Sequence, residues 1–314
     1  SNPSLETITD IKIQYVTTKI INQETSNGTT RVTLEISNPV FYIEDYLVES
    51  ISAIGVSNIN YTREYESGER TVKLDLYRPV YNINDWKEIK NSSSESYKLM
   101  NDLDFQNQPA DTIRLGDFYG KLNGNNHTIK NIELTNGNPM IYNLYGTIKN
   151  LFIENYKHNT TASSTGIVAV LRANSIINNL HANNVQLGAQ NYIGGIVGNA
   201  NKGIIRNSSV ANFSLADDIQ ITSNLRIGGL IGYVVNATNI QNSYVQNLNI
   251  ETPDNYSIQA IGGVVGYLAS GSIQNVYAIG SITTSSSNVG GIVGLNNGSI
   301  QNVYSTVNIY SKGS

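Results

Sequence analysis

"IGGIVG", from Ile193 to Gly198, returns as "IGGLIG" from Ile227, "IGGVVG" from Ile261 and "VGGIVG" from Val289. A second pattern, I-x-N, accompanies it: "TIKNIEL" at Asn131, "TIKNLFI" at Asn150, "IINNLHA" at Asn179, "IIRNSSV" at Asn207, "IQNSYV" at Asn242, "IQNVYA" at Asn275 and "IQNVYS" at Asn302. Successive asparagines lie 19, 29, 28, 35, 33 and 27 residues apart. A motif that stays fixed while its period wanders marks a constant rung with loops of variable length, the pattern of a solenoid. Each unit offers three β-prone runs: "GIVG", then "IxNxY", then a stretch such as "STVNIY" after Asn302. Three short strands per unit make one turn of a parallel β-helix, and its right-handed form is expected. An α-solenoid is disfavoured, because no unit spaces its apolar residues at 3.6.

Rungs stacked about 4.8 Å apart bring equivalent residues into ladders. The isoleucine of I-x-N (Ile148, Ile177, Ile205, Ile240, Ile273, Ile300) is assigned to the core. The asparagine beside it marks a bend, since Asn tolerates positive φ and its amide can bond the Asn above and below. If the bend resets the alternation, the residues three and five after the isoleucine (Leu151 and Ile153, Val276 and Ala278) face inward. The residue four after it then faces out, giving a column of Phe152, His181, Ser209, Tyr244, Tyr277 and Tyr304. Such a column is either strand-compatible surface with rings packed on one another or a flat aromatic strip that binds a protein or glycan. The adjacent apolar pairs Ile196 and Val197, Leu230 and Ile231, Val264 and Val265, Ile292 and Val293 lead to the expectation that one member of each faces out and is covered by something.

Net charge is −4 and 14% of residues are charged, so a nucleic-acid partner is not expected. There is no cysteine, which excludes disulfides, thiol nucleophiles and thiolate metal sites. No apolar run reaches the roughly 18 residues of a membrane span. "SNPSLE" opens without signal-peptide features, so Ser1 is read as an internal boundary, and the chain is expected to continue beyond Ser314.

From residue 160 onward the only carboxylates are Asp217, Asp218, Glu251 and Asp254. Asp217 precedes Ile227 by the same interval as Glu251 precedes Ile261, so the two are expected on neighbouring rungs, about 5 Å apart. That spacing would suit a retaining carboxylate pair, as in β-helical glycosidases and polysaccharide lyases, or a weak Ca²⁺ site. Acids on exposed loops are more often plain solvated surface. The three histidines, His127, His158 and His181, form no H-E-x-x-H, and no nucleophile elbow or Walker loop occurs.

Residues 1–80 read differently. "KIINQETSNGTTRVTLEIS" and "NINYTREYESGERTVKLDLYRPV" each suggest strand, turn, strand, hence a small β-sandwich-like module. Residues 81–115 read as a linker with a short helical cap, in which Asp85 is the expected N-cap and the single Trp86 plugs the first rung. The β-helix is expected over 116–314.

"GGIVGLNNGSIQNVYSTVNI" and "DFYGKLNGNNHTIKNIEL" closely resemble the GLUG repeat and the F-x-G-x-L-x-G-x-x-H-T-I stretch before it. Both occur in the N-terminal region of secreted Gram-positive zinc metalloproteases of the IgA1-protease type. "YNINDWKEIKNSSSESYKLMNDLDF" resembles the W-x-x-I…Y-x-L-x-x-D-L-D-F lead-in of that region. The resemblance covers Tyr81 onward and implies a non-catalytic, extracellular or wall-attached substrate-recognition or spacer region with no cofactor of its own. Zinc would then belong to a downstream domain. The implied partners are a host protein such as immunoglobulin, a surface glycan, or other domains of the same chain. GLUG repeats also occur in adhesins, which keeps a surface adhesin as the alternative.

Overall fold

A computed structural model describes the backbone of residues 11–14, 17–26, 29–37, 40–43, 46–52 and 73–76, and backbone and side chains of 77–217, 224–253 and 258–312. The chain divides into two compact units, Ser1–Pro79 and Val80–Ser314.

The first unit pairs antiparallel throughout its described strands. Thr17–Ser26 and Thr29–Ser37 form the first expected hairpin, with Ser26 opposite Thr29. Ile11–Gln14, Val40–Ile43, Tyr46–Ser52 and Lys73–Val80 pair in that order. The "ESGE" tip of the second expected hairpin lies outside the described residues.

The second unit begins with helix α1, Ile83–Glu88. Its N-cap is Asn82 rather than Asp85: the Asn82 side chain accepts from the N–H groups of Asn84 (2.8 Å) and Asp85 (3.2 Å). Asp85 reaches back to accept from Tyr81 N–H at 2.8 Å, a variant of the reciprocal capping arrangement. An amide one turn earlier meets the orphan N–H groups first, which is why the carboxylate is displaced inward. Trp86 is fully buried, donating from Nε1 to Ile113 O at 3.2 Å and meeting the Phe105 ring edge-on at 5.5 Å.

Beyond α1 the chain winds into a parallel β-helix with three walls. The long wall stacks eight rungs. It starts from Ser96–Leu99 and Leu103–Asp104, then Lys121–Asn123 and Thr128–Thr135, then Thr147–Asn159. It continues through Ser175–Gly188, Gly203–Arg206 with Ser209–Leu215, Thr238–Glu251, Gly271–Thr284 and Ser299–Ser311. The middle wall runs from Gly116–Phe118 to Val293–Asn296 and the short wall from Ser164–Thr165 to Val289–Gly290. The coil therefore starts one rung before Gly116, because Ser96–Leu99 already pairs parallel with Lys121–Asn123.

Register bears out the core ladder. Leu122, Ile148, Ile177, Ile205, Ile240, Ile273 and Ile300 are successive partners, buried except in the last rung, where Ile300 is exposed. Each fully buried Ile or Leu contributes about 1.5–3 kcal/mol. Leu151, Ile153, Val276 and Ala278 are also buried, as the reset alternation requires.

The shared I-x-N motif does not mean a shared column for Asn131. Ile129 pairs with Ile153 and Ile132 with Tyr156, so Asn131 stands beside Asn155, not Asn150. There are two ladders, each in left-handed backbone: Asn150, Asn179, Asn207, Asn242, Asn275 and Asn302, and five residues further along, Asn131, Asn155, Asn184, Asn212 and Asn247. Amides bond between rungs, as from Asn179 Nδ2 to Asn150 Oδ1 (3.0 Å), Asn275 to Asn242 (3.0 Å) and Asn184 to Asn155 (2.8 Å).

The G-G-x-x-G motif makes the corner between short and middle walls. A Cβ on Gly194 would collide with Val197 O and Gly232 N, because the outer faces of the two walls meet there. A Cβ on Gly229 would strike Gly263 O and lie 2.8 Å from Val245 Cγ1, because the next glycine points inward against the long wall. The bend also resets the alternation, so the expected outward apolar column does not exist: Ile196, Val197, Leu230, Ile231, Val264 and Val265 are all fully buried. Leu230 O receives both Ile196 N–H and Val197 N–H at 3.0 Å, closing the corner.

Urea unfolding should show Asn242→Ala losing about 2 kcal/mol, from left-handed strain and a broken ladder bond, and Asn242→Gly losing less because it keeps the backbone freedom. Gly229→Ala should cost about 1–3 kcal/mol through overpacking. Equal stability of either alanine variant with the parent would contradict these roles.

Candidate functional site

The outward column of the long wall is assembled in register: Phe152, His181, Ser209, Tyr244, Tyr277 and Tyr304 are successive partners. Rung spacing is close to the stacking distance of aromatic rings, so the rings lie face to face. Tyr244 and Tyr277 have centroids 4.9 Å apart at 2°, Tyr277 and Tyr304 5.1 Å at 11°, and Phe152 and His181 5.3 Å at 27°. Ser209 separates the column into two pieces. His181 is tied there through Nδ1 to Ser209 Oγ (2.7 Å) and Nε2 to Asn179 Oδ1 (2.9 Å), and partial burial pushes its pKa down. Desolvation first, then the neighbouring phenols Tyr244 and Tyr304, push the Tyr277 hydroxyl up, while Gln246 Nε2 donates to it at 2.9 Å. Tyr244 and Tyr277 are half-buried, and Tyr304 at the end of the strip is 57% exposed.

At the far edge of the same wall a cleft of about 370 Å³ is lined by Gln186, Asp217, Asn249, Glu251, Thr252 and Lys312 among others. Both carboxylates of the expected pair are on it, but not level. Ser214 pairs with Asn249, and continuing that register sets Glu251 beside Ala216, one residue short of Asp217. Ile227 and Ile261 are themselves partners, but the register differs on the long wall, where Ser214 pairs with Asn249, so equal counts back from the two isoleucines do not reach partners. Glu251 instead faces Lys312 Nζ at 3.5 Å, and Lys312 donates to Thr252 O at 2.7 Å. Asp218 and Asp254 lie outside the described residues. Among the described residues no three His, Asp or Glu side chains gather as a metal site would require.

The remaining histidines are structural. His127 Nδ1 sits 3.0 Å from Asp102 Oδ1, which also accepts Thr128 N–H at 2.9 Å; these bonds hold the Asp102 carboxyl below its ordinary range. His158 is fully buried with Nδ1 2.7 Å from Thr165 Oγ1, and desolvation, reinforced by Arg114, pushes its pKa down to about 4.

A second aromatic group lies across the glycine corner, outside any single motif column. Tyr192 stacks on Tyr233 (5.4 Å) and Tyr233 on Tyr267 (5.2 Å), with Arg226 Cζ 4.3 Å from the Tyr233 centroid. Tyr192 and Arg226 precede the glycine corner and Tyr233 and Tyr267 follow it, so no single column contains them all. The "GY" that ends "IGGLIGY" and "IGGVVGY" was the available signal.

The GLUG motif matches residues 223–251, 258–283 and 285–310, and the chain carries these repeats. No match is found among curated protein sequences. In fold, the chain is similar to a structure described as "IgA1 Protease", with TM-score 0.60 and 19% identity over 96% of this chain. It spans 27% of that protein's length. It is also similar to a Bacteroides ovatus protein described as "a putative immunoglobulin A1 protease", with TM-score 0.43 and 18% identity over 75% of this chain and 84% of the other. No helix among the described residues is long and apolar enough to cross a membrane.

The pKa of His158 sets a pH dependence. Its folded value of about 4 lies below the unfolded 6.5, so between them the unfolded chain binds the extra proton. Its contribution is therefore complete above about pH 6.5 and is lost as pH falls toward 4, by roughly 3 kcal/mol. His158→Gln should flatten the stability curve from pH 6.5 to 4; an unchanged slope would contradict the assignment.

Proposed function

We propose that this chain is the substrate-recognition and spacer region of an extracellular IgA1-protease-like zinc metalloprotease, with the catalytic chemistry in another domain of the parent protein. The observation that carries the reading is the Tyr244, Tyr277 and Tyr304 strip, which offers a continuous aromatic surface on a rigid parallel wall. Tyr and other aromatics are enriched where proteins meet, because they bury large area at low entropic cost. The fold similarity to a protein described as an IgA1 protease and the GLUG repeats support immunoglobulin A1 as the partner to test.

Binding of the chain to immunoglobulin A1 and to a glycan panel should be measured alongside a variant carrying Tyr244→Ser, Tyr277→Ser and Tyr304→Ser. Immunoglobulin binding that weakens at least about tenfold in the variant, with the fold intact by circular dichroism, is the expected result. Selective glycan binding without immunoglobulin binding would favour a surface adhesin, and binding unaffected by the substitutions would remove the strip from the account.

A further inference from the structure

The corner between short and middle walls carries a guanidinium without a hydrogen-bonding partner. The Arg226 backbone N–H donates to Asn191 O at 2.8 Å, but its side chain has no hydrogen bond or ion pair among the described residues, and its Nε is buried and unsatisfied. Three rings hold it: its Cζ is 4.3 Å from the Tyr233 centroid, 5.3 Å from that of Tyr192 and 5.6 Å from that of Tyr267. Cation–π contact fixes the plane of a guanidinium while leaving its N–H donors unspent. Asn297 Nδ2 donates to the Tyr267 hydroxyl at 3.0 Å and pins the last ring.

Two buried acceptors nearby are also unsatisfied, Asn199 Oδ1 and Gln259 Oε1. Asn199 is the strand partner of Tyr233, and Gln259 is the bulged residue between Ile258 and Ala260, the partners of Leu225 and Arg226. Register thus places all three orphan atoms around one aromatic corner. The corner is re-entrant because the outer faces of the walls converge on Gly194 and Gly232. Buried polar atoms without partners are rare in folded proteins, and three around one concave feature specify the complement they lack. Arg226 calls for an anionic oxygen, Asn199 and Gln259 call for donors, and the tyrosine edges suit a small partly apolar body.

We propose that Tyr192, Asn199, Arg226, Tyr233 and Gln259 form a binding site for a carboxylate-bearing sugar, the carboxylate taking the Arg226 fork and hydroxyl groups donating to the two amide oxygens. A charge-assisted, two-pronged contact to Arg is the strongest available element, and hydroxyl donors account for the two acceptors that a bare anion leaves unsatisfied. The site is on different walls from the Tyr244 strip and stands whether or not that strip binds immunoglobulin.

Titration calorimetry with 3′-sialyllactose, a glucuronate-containing hyaluronan tetrasaccharide, lactose and acetate tests it. At least one of the two acidic sugars should bind, and lactose and acetate each about tenfold or more weaker; which acidic sugar binds distinguishes a host-type glycan from a uronate polysaccharide. Arg226→Gln should remove the acidic-sugar binding. Asn199→Asp, which leaves the arginine stack untouched and adds a repelling charge, should weaken it by a similar factor, with both variants checked for an unchanged melting transition. Tyr244→Ser should leave it unaltered. No binding by either acidic sugar, equal binding of lactose or acetate, or acidic-sugar binding that survives Asn199→Asp would overturn the proposal.

Discussion

The coil depends on parallel main-chain hydrogen bonds that hold each turn one strand spacing above the last. That spacing, about 4.8 Å, is a distance at which amides can bond amides and aromatic rings can stack. The two asparagine ladders and the tyrosine ladder are therefore consequences of one constraint acting on different residue types. Asparagine occupies the bends because it alone combines tolerance of left-handed backbone with a side chain that can donate and accept along the axis. Units of 27 to 35 residues still pair their asparagine and isoleucine positions rung by rung, so a wandering period leaves the core register undisturbed.

Much of this was readable because the period of the ladders is the period of the sequence. The inward isoleucines, the resets at three and five residues and the outward Phe152 to Tyr304 column all followed from alternation plus one bend. The second bend misled the same logic. In "IGGIVG" alternation was extended through a corner that the two glycines create, so a column was expected outside where Ile196 and Val197 are both inside. Asn131 was misplaced because two asparagine ladders share one local motif, and only strand pairing separates them. Asp85 looked like a cap because the capping pair is reciprocal and either member fits the pattern.

The carboxylates show where spacing arithmetic fails physically. Counting back from the isoleucines assumes that two rungs keep one register throughout, but Ile227 pairs with Ile261 whereas on the long wall Ser214 pairs with Asn249, one residue out of step with that count. Within the same rungs Gln259 bulges beside Ala260, the partner of Arg226, with its Oε1 buried and unsatisfied. Irregularity in a repeat protein thus both defeats sequence alignment and concentrates unsatisfied polar atoms, while the regular positions satisfy one another. The Tyr192 and Tyr233 cluster was invisible for a related reason: its members come from opposite sides of the corner, and columns are the only relation that a repeat displays.

The register is the claim on which all these assignments rest, and the cysteine-free sequence permits a direct test. Asn239 and Ser272 are partners on neighbouring rungs of the long wall, so Asn239→Cys with Ser272→Cys places two Cα atoms about 5 Å apart, inside disulfide range. Asn239→Cys with Gln274→Cys, two residues along the same strand, puts them roughly 8 Å apart and outside it. Mild oxidation followed by peptide mapping should bridge the first pair completely and leave the second free. A bridge in the second pair, or none in the first, would contradict the register and with it the ladders built on it.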